Sequence, residues 1–146
     1  MLPEFSISSC SIPPFPEGEI YGTVGTNTAD GNIVLCGGFS NNSVKTTCYI
    51  FSSNSWSKIP PMIQGRVGAA AGWVDGEWMV TGGSNGEVGG WLSSTEVLGA
   101  REWSIGDDLP VGVQGHCMVE LNTTHVLYSG GWEEGGSDYF YLYLKK

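Results

Sequence analysis

The chain has 146 residues, a net charge of −9 and only six basic residues: Lys45, Lys58, Arg66, Arg101, Lys145 and Lys146. These are too few and scattered to grip a nucleic-acid backbone or an anionic membrane surface, both of which need clustered positive charge, and no apolar run approaches the ~20 residues of a spanning helix. Twenty-three glycines and 12% aromatics with only 14% charged residues favour an all-β chain, and Met1-Leu2-Pro3-Glu4-Phe5 lacks the basic start and apolar stretch of a secretory signal.

Residues 1–16 read as the tail of a preceding unit, because Cys10 stands 46 residues before Trp56 in a similar serine-flanked setting. The first complete unit spans 22–63. It begins with a small-residue strand, Gly22 to Gly25, turns at Ala29-Asp30-Gly31-Asn32, and runs through an apolar strand, Ile33 to Cys36, into Gly37-Gly38. A polar loop leads to a third strand, Thr47 to Phe51. A fourth starts at Trp56 and ends in Ile59-Pro60-Pro61-Met62. Asp-Gly between apolar runs predicts a tight hairpin, since both residues tolerate positive φ.

The second unit, 68–110, repeats the plan. Gly68 to Ala71, the Asp75-Gly76 turn, Trp78 to Thr81, Gly82-Gly83, Ser94 to Leu98 and a strand from Trp103 follow in order. A third unit, 115–146, supplies Gly115 to Met118, a turn at Leu121 to Thr124, Val126 to Ser129, Gly130-Gly131 and a third strand at Tyr139 to Tyr143. The double glycines recur at spacings of 45 and 48, the tryptophans at 47, and Gly22, Gly68 and Gly115 keep step with both. Independent markers in one period define a repeat.

These residues resemble the Kelch repeat, whose signature is an apolar stretch, Gly-Gly, a tyrosine about a dozen residues on, and then a tryptophan. Gly37-Gly38, Tyr49 and Trp56 match throughout. In the second unit Gly82-Gly83 and Trp103 match, with Val97 near the tyrosine position, and in the third Gly130-Gly131 and the Tyr139 to Tyr143 cluster match. The resemblance implies an all-β, Kelch-type β-propeller of four-stranded antiparallel blades, about three in number, in an incomplete ring. Propellers close with 4–8 blades. Three explanations of the count stand open: a fragment or truncated product, a homodimer completing a six-bladed ring, and an open array.

Little in the sequence suggests catalysis. His116 and His125 have no carboxylate or cysteine at ligand spacing, so no metal site is expected. No G-x-S-x-G motif positions a nucleophile, and no phosphate loop precedes a helix. The expectation is no enzyme, no metal and no cofactor. Cys36 and Cys48 would form a disulfide if the second and third strands pair with 36 opposite 48; alternatively Cys36 is only a small residue in register with Thr81 and Ser129. A Cys10–Cys117 bridge is the weaker pairing. Asn41 and Asn122 head glycosylation sequons in expected loops, and together with the cysteines they tilt the compartment toward extracellular rather than cytoplasmic.

What remains is surface. Loops after the second strands and between units are expected on one face, and recognition usually lives on loops of a rigid scaffold. Phe39, Arg66, Trp91 and Trp132 are residue types that anchor interfaces, and Glu133 and Glu134 add negative charge suited to a basic partner. Trp91 and Trp132 would alternatively fold back over their own blades. Arg66 matches an arginine common in Kelch repeats near the binding face. The resemblance thus implies a protein-interaction module with a protein partner. The alternative is a non-catalytic piece of a larger Kelch-containing enzyme or secreted protein.

Overall fold

Asp75 and Gly76 both take positive φ, 54° and 80°, which reverses the chain in two residues with the twist that flanking strands require. Asn41-Asn42 and Ser53-Asn54 repeat this pair of positive-φ residues at two further reversals. The computed structural model describes residues 12–133 and the backbone of residues 143–145. In chain order the strands are β1 (Val24–Asn27), β2 (Ile33–Cys36), β3 (Phe39–Ser40), β4 (Ser43–Val44), β5 (Cys48–Ser52), β6 (Ser55–Ile59), β7 (Ala70–Val74), β8 (Glu77–Thr81), β9 (Thr95–Leu98), β10 (Trp103–Ile105), β11 (Val113–Gln114), β12 (Cys117–Asn122), β13 (His125–Ser129), β14 (Trp132–Glu133) and β15 (Tyr143–Lys145). Among the described residues there is no helix.

Three antiparallel meanders form: β1-β2-β5-β6, β7-β8-β9-β10 and β12-β13-β15. The core lies between them. Along β7 the pleat sends alternate residues to opposite neighbours. Ala69, Ala71 and Trp73 pack on a cluster holding Val24, Val34 and Met62 of the first sheet with Trp78 and Val80 of the second. Val74 turns the other way, into a cluster with Met79, Val97, Val126 and Tyr128. The buried valines and methionines among these each contribute roughly 1.5–3 kcal/mol. The sheets therefore stack face to face as successive blades, and the ring is not closed.

Backbone bonds stitch the blades together at matched positions. The Gly68 N–H donates to Gly22 O at 2.9 Å, and the Gly115 N–H to Gly68 O at 2.8 Å. The Gly38 N–H donates to Arg66 O at 2.7 Å, and Gly83 repeats this with Val113 O at 2.8 Å. Glycine is required at position 38: φ is +96°, and a Cβ would lie 2.9 Å from Tyr21 O and 2.8 Å from a Thr23 methyl. The fourth-strand tryptophans reach back one blade. Trp56 Nε1 donates to Pro13 O at 3.1 Å and Trp103 Nε1 to Pro60 O at 2.8 Å.

Three expectations shift. The innermost strands begin two residues later than Gly22, Gly68 and Gly115, because those glycines, each at φ 66°, form the interblade links instead of entering the ladder. In the third unit the described part of the third strand is Tyr143–Lys145, with Tyr143 opposite Tyr128, so the strand runs past the expected end at Tyr143; residues 139–142 lie outside the described residues. The segments after the double glycines are not plain loops. Phe39–Ser40 pairs with Ser43–Val44 in a small hairpin, and each segment also pairs with the linker ahead of its own blade.

The disulfide register is realised. Cys36 faces Cys48 across β2 and β5, and the two are bonded with Cα atoms 4.1 Å apart. Both are 1% exposed.

Candidate functional site

The pairing of linkers with post-glycine segments builds a second, short ladder on one face. Tyr21 bridges Phe39 and Val67 bridges Ser84. Val113 and Gln114 pair with Glu133 and Trp132. These three pairs occupy the same place in successive blades, so they line one face of the stack. Tyr21 and Phe39 exchange both backbone bonds, at 3.3 and 2.9 Å, which holds their rings together at 5.3 Å between centroids and 34° between planes. Tyr21 is 64% exposed and Trp132 55%. An open cleft of about 740 Å³ lies beside the aromatic pair, walled by Glu19, Ile20, Asn41 and Asn42. Exposed aromatic rings on a fixed backbone suit recognition, because little side-chain entropy remains to be lost on binding.

The expected site residues separate here. Phe39 and Trp132 stand on the ladder face. Trp91 is half-buried and bridges Ser84, between the first and third ladder positions. Glu133 sits on β14 opposite Val113. Glu134 lies outside the described residues. Asn41 is exposed at the tip of the β3–β4 hairpin with φ 49°, and Asn122 is exposed at the β12–β13 turn. Tyr21, absent from the sequence-based set, is the most exposed aromatic on the face. Its one signal in the sequence was its step immediately before Gly22, the place of Val67 and Gln114.

Arg66 is the correction. Expected near the binding surface, it is 1% exposed. Its Nη1 donates to Gly82 O and Ser94 O, each at 2.8 Å. Its Nη2 donates to Ser94 Oγ and Glu96 Oε1, each at 2.9 Å, and its Nε to Glu96 Oε1 at 3.3 Å. Glu96 is equally buried and also accepts the backbone N–H groups of Ile63 and Gln64, at 2.6 and 3.0 Å. A buried pair survives only when its remaining hydrogen-bonding capacity is met, and this one is met by the next blade's backbone. Arg66 rivets the first two blades together.

The Kelch tyrosine position also moves. Tyr49 pairs with Leu35 and Glu96 with Val80, so Glu96, not Val97, is the counterpart of Tyr49. The Tyr49 hydroxyl donates to Glu17 at 2.8 Å. Burial, then this bond and the charge of Glu17, push its pKa up to about 12. Phe15 packs edge-on against Tyr49 and Trp56, at 5.1 Å from each.

The histidines do not form a site. His116 is 6% exposed, wedged between blades with Nε2 2.9 Å from Thr81 Oγ1, and desolvation lowers its pKa to about 4. His125 bonds locally to Thr124 and Asn122, at the rim of a second cleft of about 560 Å³ that also meets Asp75, Glu77 and Asp107. Among the described residues no group of His, Cys, Asp and Glu is arranged to hold a metal ion.

Four-stranded antiparallel sheets stacked through interblade glycine links define a β-propeller array. Residues 22–63, the first complete blade, match the Kelch motif. Among solved structures the chain is similar to that of YjhT, with a TM-score of 0.70 and 17% identity, over 90% of this chain and 43% of that one. At that identity the likeness is one of fold, and the chain spans less than half of YjhT's length. No curated protein sequence matches the chain.

Proposed function

We propose that the chain is a protein-interaction module that holds a protein partner on its ladder face. The observation that carries this is the Tyr21–Phe39 pair, exposed beside an open cleft and in register with exposed Trp132. Aromatic residues on rigid elements are the usual anchors of interfaces. The net charge of −9, with Glu19 at the cleft and Glu133 on β14, favours a partner with a basic surface over nucleic acid or an anionic membrane. The residues support binding rather than catalysis. The buried Cys36–Cys48 disulfide fits an oxidising, extracellular setting, where the exposed Asn41 and Asn122 would be open to glycosylation.

Affinity capture with the wild-type chain and three variants tests the proposal. Tyr21→Ala and Trp132→Ala are expected to lose the captured protein. Ile105→Ala, at a 65% exposed site away from the ladder, is expected to keep it. Capture indifferent to Tyr21 and Trp132, or lost with Ile105, defeats the assignment.

A second reading, that the chain acts within a larger Kelch-containing protein, draws support from its covering 43% of YjhT. Further double-glycine units in the flanking genomic sequence would establish it.

A further inference from the structure

We propose that the junction between the first two blades holds a small, uncharged aromatic molecule carrying one hydrogen-bond acceptor, such as an aryl ketone. A cleft of about 200 Å³ lies there, walled by Val34, Ile50 and Ile59 of the first blade and by Trp73, Trp78 and Leu98 of the second. Each of these blades has all four strands, so the cleft belongs to the junction itself. Thr28, Gly99 and Ala100 complete its rim, and the last two are exposed. They stand on the β1–β2 and β9–β10 connections, at the strand ends opposite the post-glycine segments. The cleft is therefore separate from the ladder face.

Among the described residues that line it, none is charged, whereas the clefts beside His125 and Tyr21 meet Asp75, Glu77 and Asp107 or Glu19. A charged guest would give up its hydration here for no counter-charge. The wall is also held in place. Trp73 Nε1 donates to Thr26 Oγ1 and to Asn27 O, each at 3.0 Å, which ties its ring across the junction. One wall residue has unmet chemistry. Trp78 is 1% exposed, and its indole Nε1–H finds no acceptor among the described residues. The other side-chain polar groups of the wall are engaged, Trp73 as above and the Thr28 hydroxyl with the Asn32 backbone. A water in the cleft would gain one side-chain partner, where ordered buried waters make about three hydrogen bonds. An aromatic guest with a single oxygen meets both demands. Its ring covers the apolar wall, and its oxygen answers a buried donor that is costly to leave unpaired. The volume suits one substituted ring, since an apolar cavity of about 150 Å³ takes benzene.

Fluorine NMR of para-fluoroacetophenone, titrated with the full chain, measures the binding, and the indole N–H resonances of the isotope-labelled chain locate it. Saturable binding with a Kd of about 1 mM or below is expected, with the Trp78 indole proton moving downfield. para-Fluoroethylbenzene, of similar shape but without the oxygen, is expected to bind roughly tenfold more weakly and to lack the downfield shift. para-Fluorobenzoate is expected not to bind. Ile50→Phe and Ile59→Phe, which fill the cleft from its first-blade wall, should each weaken the ketone roughly tenfold or more, whereas Ile105→Phe, at a 65% exposed site outside the cleft, should leave it unchanged. Far-UV circular dichroism confirms that each variant is folded. A ketone that never saturates, a benzoate that binds as well, or folded Ile50→Phe and Ile59→Phe chains that bind like wild type overturn the proposal. So does an ethylbenzene that matches the ketone, since the indole N–H would then have no part in recognition.

Discussion

Arg66 directs five hydrogen bonds into a space that water does not reach, and two of them end on the carboxylate of Glu96. Removing the guanidinium strands that carboxylate, so Arg66→Ala is expected to cost about 3–5 kcal/mol. Arg66→Lys keeps a charge but loses the planar fork, and falls between the two. Urea unfolding measures both, and an alanine variant within about 1 kcal/mol of wild type would contradict the role of rivet. The sequence hid this pair because its members are 30 residues apart and each departs from its own column. Ile20 and Val113 stand where Arg66 does, and Tyr49 where Glu96 does, so neither could be foreseen from the repeat alone. His116 adds a pH dependence. Its folded pKa is about 4 against an ordinary 6.5, from desolvation. The unfolded chain therefore takes up a proton that the folded one refuses. Stability should be unaffected by this group above about pH 6.5 and fall as the pH drops toward 4, by roughly 3 kcal/mol in all. His116→Gln should flatten that part of the acid-unfolding curve; an unchanged slope would place the acid sensitivity elsewhere.

At the scale of the strand and the hairpin, the period of the double glycines carried most of the fold. It set the three meanders and offered a register with Cys36 opposite Cys48, which also pairs Leu35 with Tyr49, beside the reading of Cys36 as merely a small residue; the structure takes the first. What it missed were the short ladders, whose residues Tyr21, Phe39, Ser84 and Trp132 share no common side chain. Their pairing is made by backbone and leaves no trace in composition. The ladder face was thus only partly legible: Phe39 and Trp132 stood out in the expected loops, whereas Tyr21, just ahead of the first unit, did not. The disulfide joins neighbouring strands and closes a loop of 12 residues, so its contribution should be about 2–4 kcal/mol. With both sulfurs buried, dithiothreitol is expected to reduce it only through opening of the first blade. Thiol labelling of the native chain should therefore find Cys117, free and exposed among the described residues, well before either half of the bridge. Equal labelling rates would mean that the first blade opens readily.

Across the whole molecule, stability should be graded rather than uniform, as in arrays whose units contact only their neighbours. The second blade is covered on both sides. Four of the five residues of β8 are buried, and three of the four in β9. In the third blade β12 has five exposed residues of six. Amide exchange follows local opening, and local opening follows the apolar contact that must be broken. Hydrogen–deuterium exchange should therefore find the amides of Glu77–Thr81 and Thr95–Leu98 slowest, with Cys117–Asn122 faster by at least about tenfold in dilute solution. Slow exchange of β12 in a dilute, monomeric sample would mean that the exposed column is held by something other than a neighbouring blade, and the wedge-on-wedge account of the molecule would have to be redrawn.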